Sequence, residues 1–339
     1  MSPLPASPGL GHKSFVGIAK EATLGTAPAA AQIYYELRPG AALDAGLEII
    51  RGDALRSNRM SPGYIGQGIR RHPTLPYSIM LPFEGAEHAL RMILPTYSQA
   101  VVEGSVRDHT FKEGGALSSY TKDFSFGDMP TGKVTQLTAA YARAWSIRGE
   151  ADAPLIMEID TVAYDAVPDT TSMAAGSYPT ANLGGTLHEV LATTGNLKDG
   201  SGASVDDIVV RSFTLSGTVP HTDKRPRAGN KISLPPVRTG AMTVTLALEL
   251  EYNSKALMEA VRAFTQTDVK LLVQLATTIG STSKREFEIA IGSPKPAQFG
   301  KAIPDAGVIT QTVTYEAEYN ASAASAVVIR TRNLAAALS

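Results

Sequence analysis

The chain has no cysteine among its 339 residues, which excludes disulfides, thiolate nucleophiles and cysteine-ligated metals and fits a protein that folds in a reducing cytoplasm. Charge is sparse and balanced: Asp, Glu, Lys and Arg make up 19% of the residues and leave a formal net charge of −1. The molecule as a whole therefore sets up no strong field to recruit nucleic acid or a membrane. Aromatic residues amount to 6%, with a single tryptophan, Trp145, which sits in a strand-like run and reads as core. No stretch approaches the roughly 18 to 20 apolar residues of a membrane-spanning helix. Residues 1–13 are rich in Pro, Ser and Gly and lack a basic or apolar signal region, so they are expected to be a flexible leader and not a secretory signal.

What the chain does contain is a pattern that occurs twice. Arg71, Tyr77, Ile79, Leu81, Phe83, Glu84, Ala89 and Leu90 recur 167 residues later as Arg238, Val244, Leu246, Leu248, Leu250, Glu251, Ala256 and Leu257. In both places an alternating apolar pattern of strand period runs into one of helix period, so the recurring object is a strand followed by a helix. Helices are predicted over Ala86 to Leu94, stopped by Pro95, and over Asn253 to Phe264. Pro82 is expected on an edge strand or at a bulge, because it cannot donate to a ladder. Further strands are predicted around 120–126, 137–147, 155–164, 242–250, 270–275, 286–291, 308–319 and 327–331. The Thr-, Ser-, Ala- and Gly-rich stretch from Pro168 to Asp207 reads as a linker and outer loop. The fold class that follows is mainly β, in two tandem units at 14–168 and 169–339, each with antiparallel strands and one flanking α-helix.

Positive charge clusters just ahead of each recurring strand. Residues 51–71 carry Arg51, Arg56, Arg59, Arg70 and Arg71 against Asp53 alone, and residues 223–238 carry Lys224, Arg225, Arg227, Lys231 and Arg238 against Asp223 alone. Both segments hold Pro and Gly and little apolar periodicity, so they read as extended basic loops. In a neutral chain such loops are candidates for contacts with an acidic face of a neighbouring copy.

The motifs of catalysis are missing. The six histidines, at positions 12, 72, 88, 109, 188 and 221, do not fall at metal-ligand spacing and read as surface or helix filler. Gly63, Gly66 and Gly68 precede a strand where a dinucleotide fingerprint requires a helix. The stretch Gly195 to Ser201 lacks the lysine of a phosphate loop. Glu249 and Glu251, two apart on a strand, belong to a solvated or inter-subunit face. The two basic loops share only Tyr64, which does not make a stacking platform for single strands. No cofactor, metal or catalytic residue is expected.

The segment Gly17-Ile18-Ala19-Lys20-Glu21-Ala22-Thr23-Leu24-Gly25-Thr26-Ala27 resembles the opening of the tail tube proteins of long-tailed, non-contractile bacteriophages. The Arg-rich loop leading into a strand and an Ala-Leu helix, and Gly307-Val308-Ile309 leading into the Thr/Tyr-rich strand near Tyr319, are similar to that family too. The resemblance spans about residues 14 to 333. It implies a β-sandwich or barrel-like core with a flanking helix, self-association into rings whose inner sheets join around a lumen, and stacking of rings through long loops. It further implies passage of double-stranded DNA during ejection, and contact with the tape measure, tail terminator and distal tail proteins. The place of action would be the virion tail, assembled in the host cytoplasm without a membrane. A fused pair of units implies three chains in a pseudo-hexameric ring, with six chains as the alternative. A reading from a different class is a decoration or adhesion module that binds a receptor or glycan. It would call for aromatic clusters on loops, whereas the loops here are rich in Ser, Thr, Gly and Ala.

Overall fold

A computed structural model describes residues 14–51, 64–114, 117–125, 133–150, 153–173, 197–199, 210–230, 232–251, 268–292, 294–302, 309–336 and 338. The first half gives β1 (Phe15–Lys20), β2 (Ile33–Glu36), β3 (Ile49–Arg51), β4 (Tyr64–Gln67) and β5 (Thr74–Met80), then α1 (Ala86–Ile93). Next come β6 (Thr96–Glu103), β7 (Val106–Lys112), β8 (Tyr120–Ser125), β9 (Lys133–Glu150), β10 (Ile156–Val162) and β11 (Asp165–Thr171). The second half gives β12 (Leu197–Asp199), β13 (Val210–Thr218), β14 (Thr243–Glu251) and β15 (Asp268–Thr278), followed by β16 (Lys284–Gly292), β17 (Pro294–Ala302), β18 (Thr310–Ala317) and β19 (Val327–Asn333). The protein is mainly β, as the sequence predicts. The second predicted helix, 253–264, lies outside the described residues.

Two main antiparallel sheets build most of the described structure, and β3 and β4 pair apart from them as a two-stranded sheet. The large one has 11 strands along β17-β18-β14-β13-β9-β8-β1-β2, with β10 and β11 also on β9 and β5 beyond β10. The smaller runs β12-β15-β16-β19-β7-β6. One continuous apolar core draws on both sheets and on α1, through Trp145, Leu215 and Leu246 from the first, Phe111, Phe287 and Ile329 from the second, and Leu90 and Ile93 from the helix. Both halves of the chain contribute to both sheets and meet in the pairs β9·β13 and β7·β19. β5 and β14, the recurring strands, both lie in the large sheet, but β5 pairs with β10 whereas β14 lies between β13 and β18.

The 18-residue strand β9 organises the large sheet by changing partners along its length. Its first half pairs with β8 and β11, its second half with β10 and β13. The change falls at Ala139, which adopts a left-handed φ of 44° that a non-glycine residue rarely takes. The carboxylate of buried Glu21 holds that corner, accepting from the Ala139 N–H at 2.8 Å and from the Thr121 hydroxyl at 2.8 Å. This locates a role for the Lys-Glu pair of the opening motif: Glu21 fixes the corner of the longest strand.

Further along β9, the Trp145 indole lies flat on Gly217 of β13. A Cβ built at Gly217 would come within 2.3 Å of the ring. Gly217→Ala is therefore expected to cost about 1–3 kcal/mol by overpacking. Chemical denaturation should register the loss, and the emission of the single tryptophan should shift because its ring must move.

Several local readings change. The strand predicted to carry Pro82 ends at Met80, so the proline follows the ladder and sits beyond it. The chain from Pro168 to Thr171 is still strand, in β11, where Thr170 and Thr171 pair with Val134 and Lys133. His72 and His109 are buried, at 3% and 0% exposure, and are not surface filler.

Candidate functional site

The outward face of the large sheet follows from the alternation of its strands. In β14 the inward residues are Val244, Leu246, Leu248 and Leu250, which places Thr243, Thr245, Ala247, Glu249 and Glu251 outward. Strand pairing aligns such residues into rows across the sheet. One row runs Ser78, Glu158, Ser146, Ser216, Thr245 and Glu316, ending on Lys295. The next contains Arg148, Thr214, Ala247, Thr314 and Gln298. The face is thus made mostly of short hydroxyls, alanine and acids, with Arg148, Lys295 and Gln298 among them.

Its cations are spoken for locally. Arg143 bonds Asp160 at 2.7 Å, Arg148 bonds Glu158 at 2.9 Å, Arg211 lies 3.7 Å from Glu251, and Lys295 lies 2.9 Å from Glu318. Glu150, Glu249 and Glu316 have no cationic partner among the described residues. Hydroxyls link neighbouring strands, with Ser216 and Thr245 at 2.8 Å and Ser212 donating to Glu249 at 3.1 Å. A groove of about 540 Å³ crosses the face between Ser78, Glu158, Ser146 and Ser216. Among the described residues, the rows of this surface hydrate well, offer a polyanion no array of cations to bind and hold no aromatic on which a base could stack.

The ten basic residues expected to make inter-subunit contacts divide into those that are placed and those that are not. Arg56, Arg59 and Lys231 lie outside the described residues, and Arg51 is the last residue of β3. The other six belong to two segments that the fold brings together. His72 N–H donates to the Asp223 carbonyl at 2.8 Å, and the Ser233 hydroxyl donates to the Arg70 carbonyl at 2.7 Å. A third segment joins them. Gly46, with φ +67°, is so close that a Cβ there would lie 2.2 Å from the Arg71 carbonyl oxygen.

Most of the positive charge at this junction has an acidic or carbonyl partner within the chain. Lys224 bonds Glu48, Arg71 lies 4.0 Å from Asp44, and Arg238 lies 3.4 Å from Glu113 while its Nε donates to the Gly240 carbonyl at 2.6 Å. Arg225 donates to the Pro235 carbonyl at 2.7 Å. Arg70 is half-buried and its Nε has no hydrogen-bond partner among the described residues. Arg227 is exposed and carries no ion pair among the described residues. The sequence showed the clustered cations but not their acids, because Asp44, Glu48 and Glu113 come from segments up to 176 residues away.

Charge is also organised on the smaller sheet. Arg330 and Arg332 on β19 stand between Asp108 of β7 and Glu286 and Glu288 of β16, at 2.7 to 3.4 Å. Burial pushes the Asp108 carboxyl up, but hydrogen bonds from Arg332 and Arg330 outweigh it and hold the group below its usual value. Beyond this network, Glu103 accepts from the Ser281 N–H at 2.7 Å and from the hydroxyls of Ser281 and Ser283, and the Ser281 contacts bring its carboxyl down to about 2. This ties the β6–β7 turn to the β15–β16 turn.

No group of three or more metal-type ligands forms among the described residues, and no helix there is long and apolar enough to cross a membrane. No curated protein matches the chain. The family model described as phage tail tube protein matches residues 11–317, covering the opening motif, the recurring strands, both basic segments and the whole large sheet. The chain belongs to the phage tail tube proteins, a virion structural family of the tail.

Proposed function

We propose that this chain polymerises into stacked rings forming a tail tube, and that double-stranded DNA passes down the lumen during ejection. The observation that carries the reading is the outward face of the large sheet, with its hydroxyl rows and with Glu150, Glu249 and Glu316, which have no cationic partner among the described residues. Such a face suits a wall along which a polyanion slides without being held. Three chains make a ring, the units 14–168 and 169–339 each taking one of six positions, and cyclic closure covers strand edges that would otherwise invite uncontrolled pairing. The ends of the tube meet the terminator and distal tail proteins, and the tape measure occupies the lumen before DNA does.

In this reading the basic segments contribute contacts between rings, and Arg227 is the described residue best placed for it, being exposed and without an ion pair among the described residues. Arg227→Glu is expected to reduce tube yield while leaving the melting temperature within about one degree, since a surface substitution changes stability by roughly 0.5 kcal/mol or less. Sedimentation of assembled tubes alongside a thermal scan checks this. A melting temperature that collapses, with stacking of the folded fraction unchanged, would make the segment purely structural. The wall is tested by Glu249→Lys with Glu316→Lys, which should slow DNA release from otherwise intact virions.

A further inference from the structure

His72 occupies the meeting point of the segments 44–48, 68–72 and 220–238, with 3% of its surface exposed. Its Nδ1 lies 2.6 Å from the Thr222 carbonyl oxygen and its Nε2 lies 2.7 Å from the Leu234 carbonyl oxygen. A carbonyl oxygen can only accept, and a neutral imidazole carries one N–H. With a neutral ring, one of these two contacts would set a nitrogen lone pair against a carbonyl oxygen in a place closed to water, which leaves a buried acceptor unsatisfied. The imidazolium alone donates to both.

We propose that His72 is a proton-dependent latch between the two basic segments. With both ring nitrogens protonated it ties residues 221–238 to residues 68–72, and loss of one proton gives up one of the two carbonyl contacts. Loosening, not release, is the consequence. The His72 N–H to Asp223 and Ser233 to Arg70 bonds do not depend on that proton.

The charged groups around the ring come from all three segments. Arg70 and Arg71 precede it, Asp44 and Glu48 come from the segment packed on Arg71, and His221, Asp223, Lys224, Arg225 and Arg238, the last paired with His221 in a β-bridge and with Glu113, come from the far loop. Arg71 faces Asp44, Lys224 bonds Glu48, and Arg225 is turned to the Pro235 carbonyl. Among the described residues the hydrogen-bond partners of the ring nitrogens are two carbonyl oxygens and no carboxylate. Histidine is the side chain that ordinarily changes charge between about pH 5 and 8.

The test uses the full chain with ¹⁵N-labelled histidine. Long-range ¹H–¹⁵N correlation at pH 5.5 should show both His72 ring nitrogens in the protonated range. Hydrogen exchange, corrected for the intrinsic rate, should show the amides of Thr222 and Leu234 protected about tenfold more at pH 5.5 than at pH 8.5, with those of His72, β9 and β14 unchanged. His72→Gln, which offers one amide nitrogen in place of two ring nitrogens, should abolish the difference. A bare ring nitrogen at pH 5.5, equal protection at the two pH values, or a pH difference that persists in His72→Gln would each overturn the proposal, and the first two need no variant to fold.

Discussion

Replacing Lys122 by methionine should stabilise the subunit and flatten its stability-versus-pH curve, by as much as about 1.4 kcal/mol per pH unit at pH values well below 10.5 but above the lowered folded pKa. Lys122 is fully buried in β8, where its ammonium nitrogen reaches the Tyr77 hydroxyl at 2.9 Å and the Thr161 hydroxyl at 2.5 Å. Desolvation drives its pKa well below the ordinary lysine value, opposed by attraction to Asp160. The sign follows. Between the lowered folded value and 10.5 the unfolded chain holds a proton that the folded chain does not, so stability rises as the pH rises through that window and falls as acid is added. Above 10.5 the lysine is neutral in both states and the penalty is gone. Denaturant titrations of both proteins at pH 8, 9 and 10 measure the difference in slope, and parallel curves would mean that the folded core holds a charged lysine.

Leu90→Ala is expected to cost about 2–5 kcal/mol, the range for emptying a leucine site in a packed core. Leu90 is 0% exposed, and α1 contacts both β9 of the large sheet and β7 of the smaller one. The helix resists settling into the space because its start is tied to β2 and β19. At its start, Gly85 takes a left-handed φ of 99°, the Tyr35 hydroxyl donates to the Gly85 carbonyl, and buried Glu87 accepts from the Gly85 N–H and the Asn333 side chain. At its end, Leu94 N–H returns to the Leu90 carbonyl at 2.8 Å. Denaturation midpoints at unchanged m-value measure the effect. A loss of a few tenths would place this helix on the surface and make it available to a partner.

The strands legible in the sequence are those with one face in the core and one in water. β14 and β18 alternate in burial at nearly every position, and their apolar residues stand out at period two. β1 is buried on both faces from Val16 to Ala19, so Phe-Val-Gly-Ile-Ala-Lys shows no alternation to read. β6 fails for the opposite reason: nearly all of it is exposed, including Val101 and Val102. β17 holds Pro294 and Pro296 and still pairs with β18, because it is an edge strand with a bulge between Pro296 and Gln298. Reading 168–207 as linker missed the end of β11, whose Asp-Ala-Val-Pro-Asp-Thr-Thr is too polar and too exposed to look like a strand.

The candidate site was legible in its charges and opaque in its pairing. Clustered arginines can be counted along a chain, but whether they project or fold back depends on which acids the topology delivers. Here Glu48 reaches Lys224 and Glu113 reaches Arg238 across the two halves. The acidic hydroxyl face has a different origin. No motif marks it, since it consists of the positions that strand alternation leaves over once the core residues are assigned, and it becomes continuous only when β10, β9, β13, β14 and β18 are set in register.

The mass of a single ring, taken with averaged end views of tubes assembled from the purified chain, tests the central claim most directly. The account predicts stacked rings of three chains with pseudo-sixfold end views and an open lumen lined by the large sheet's hydroxyl face. A monodisperse monomer at high concentration and near-physiological salt, with no tubes after prolonged incubation, would contradict it.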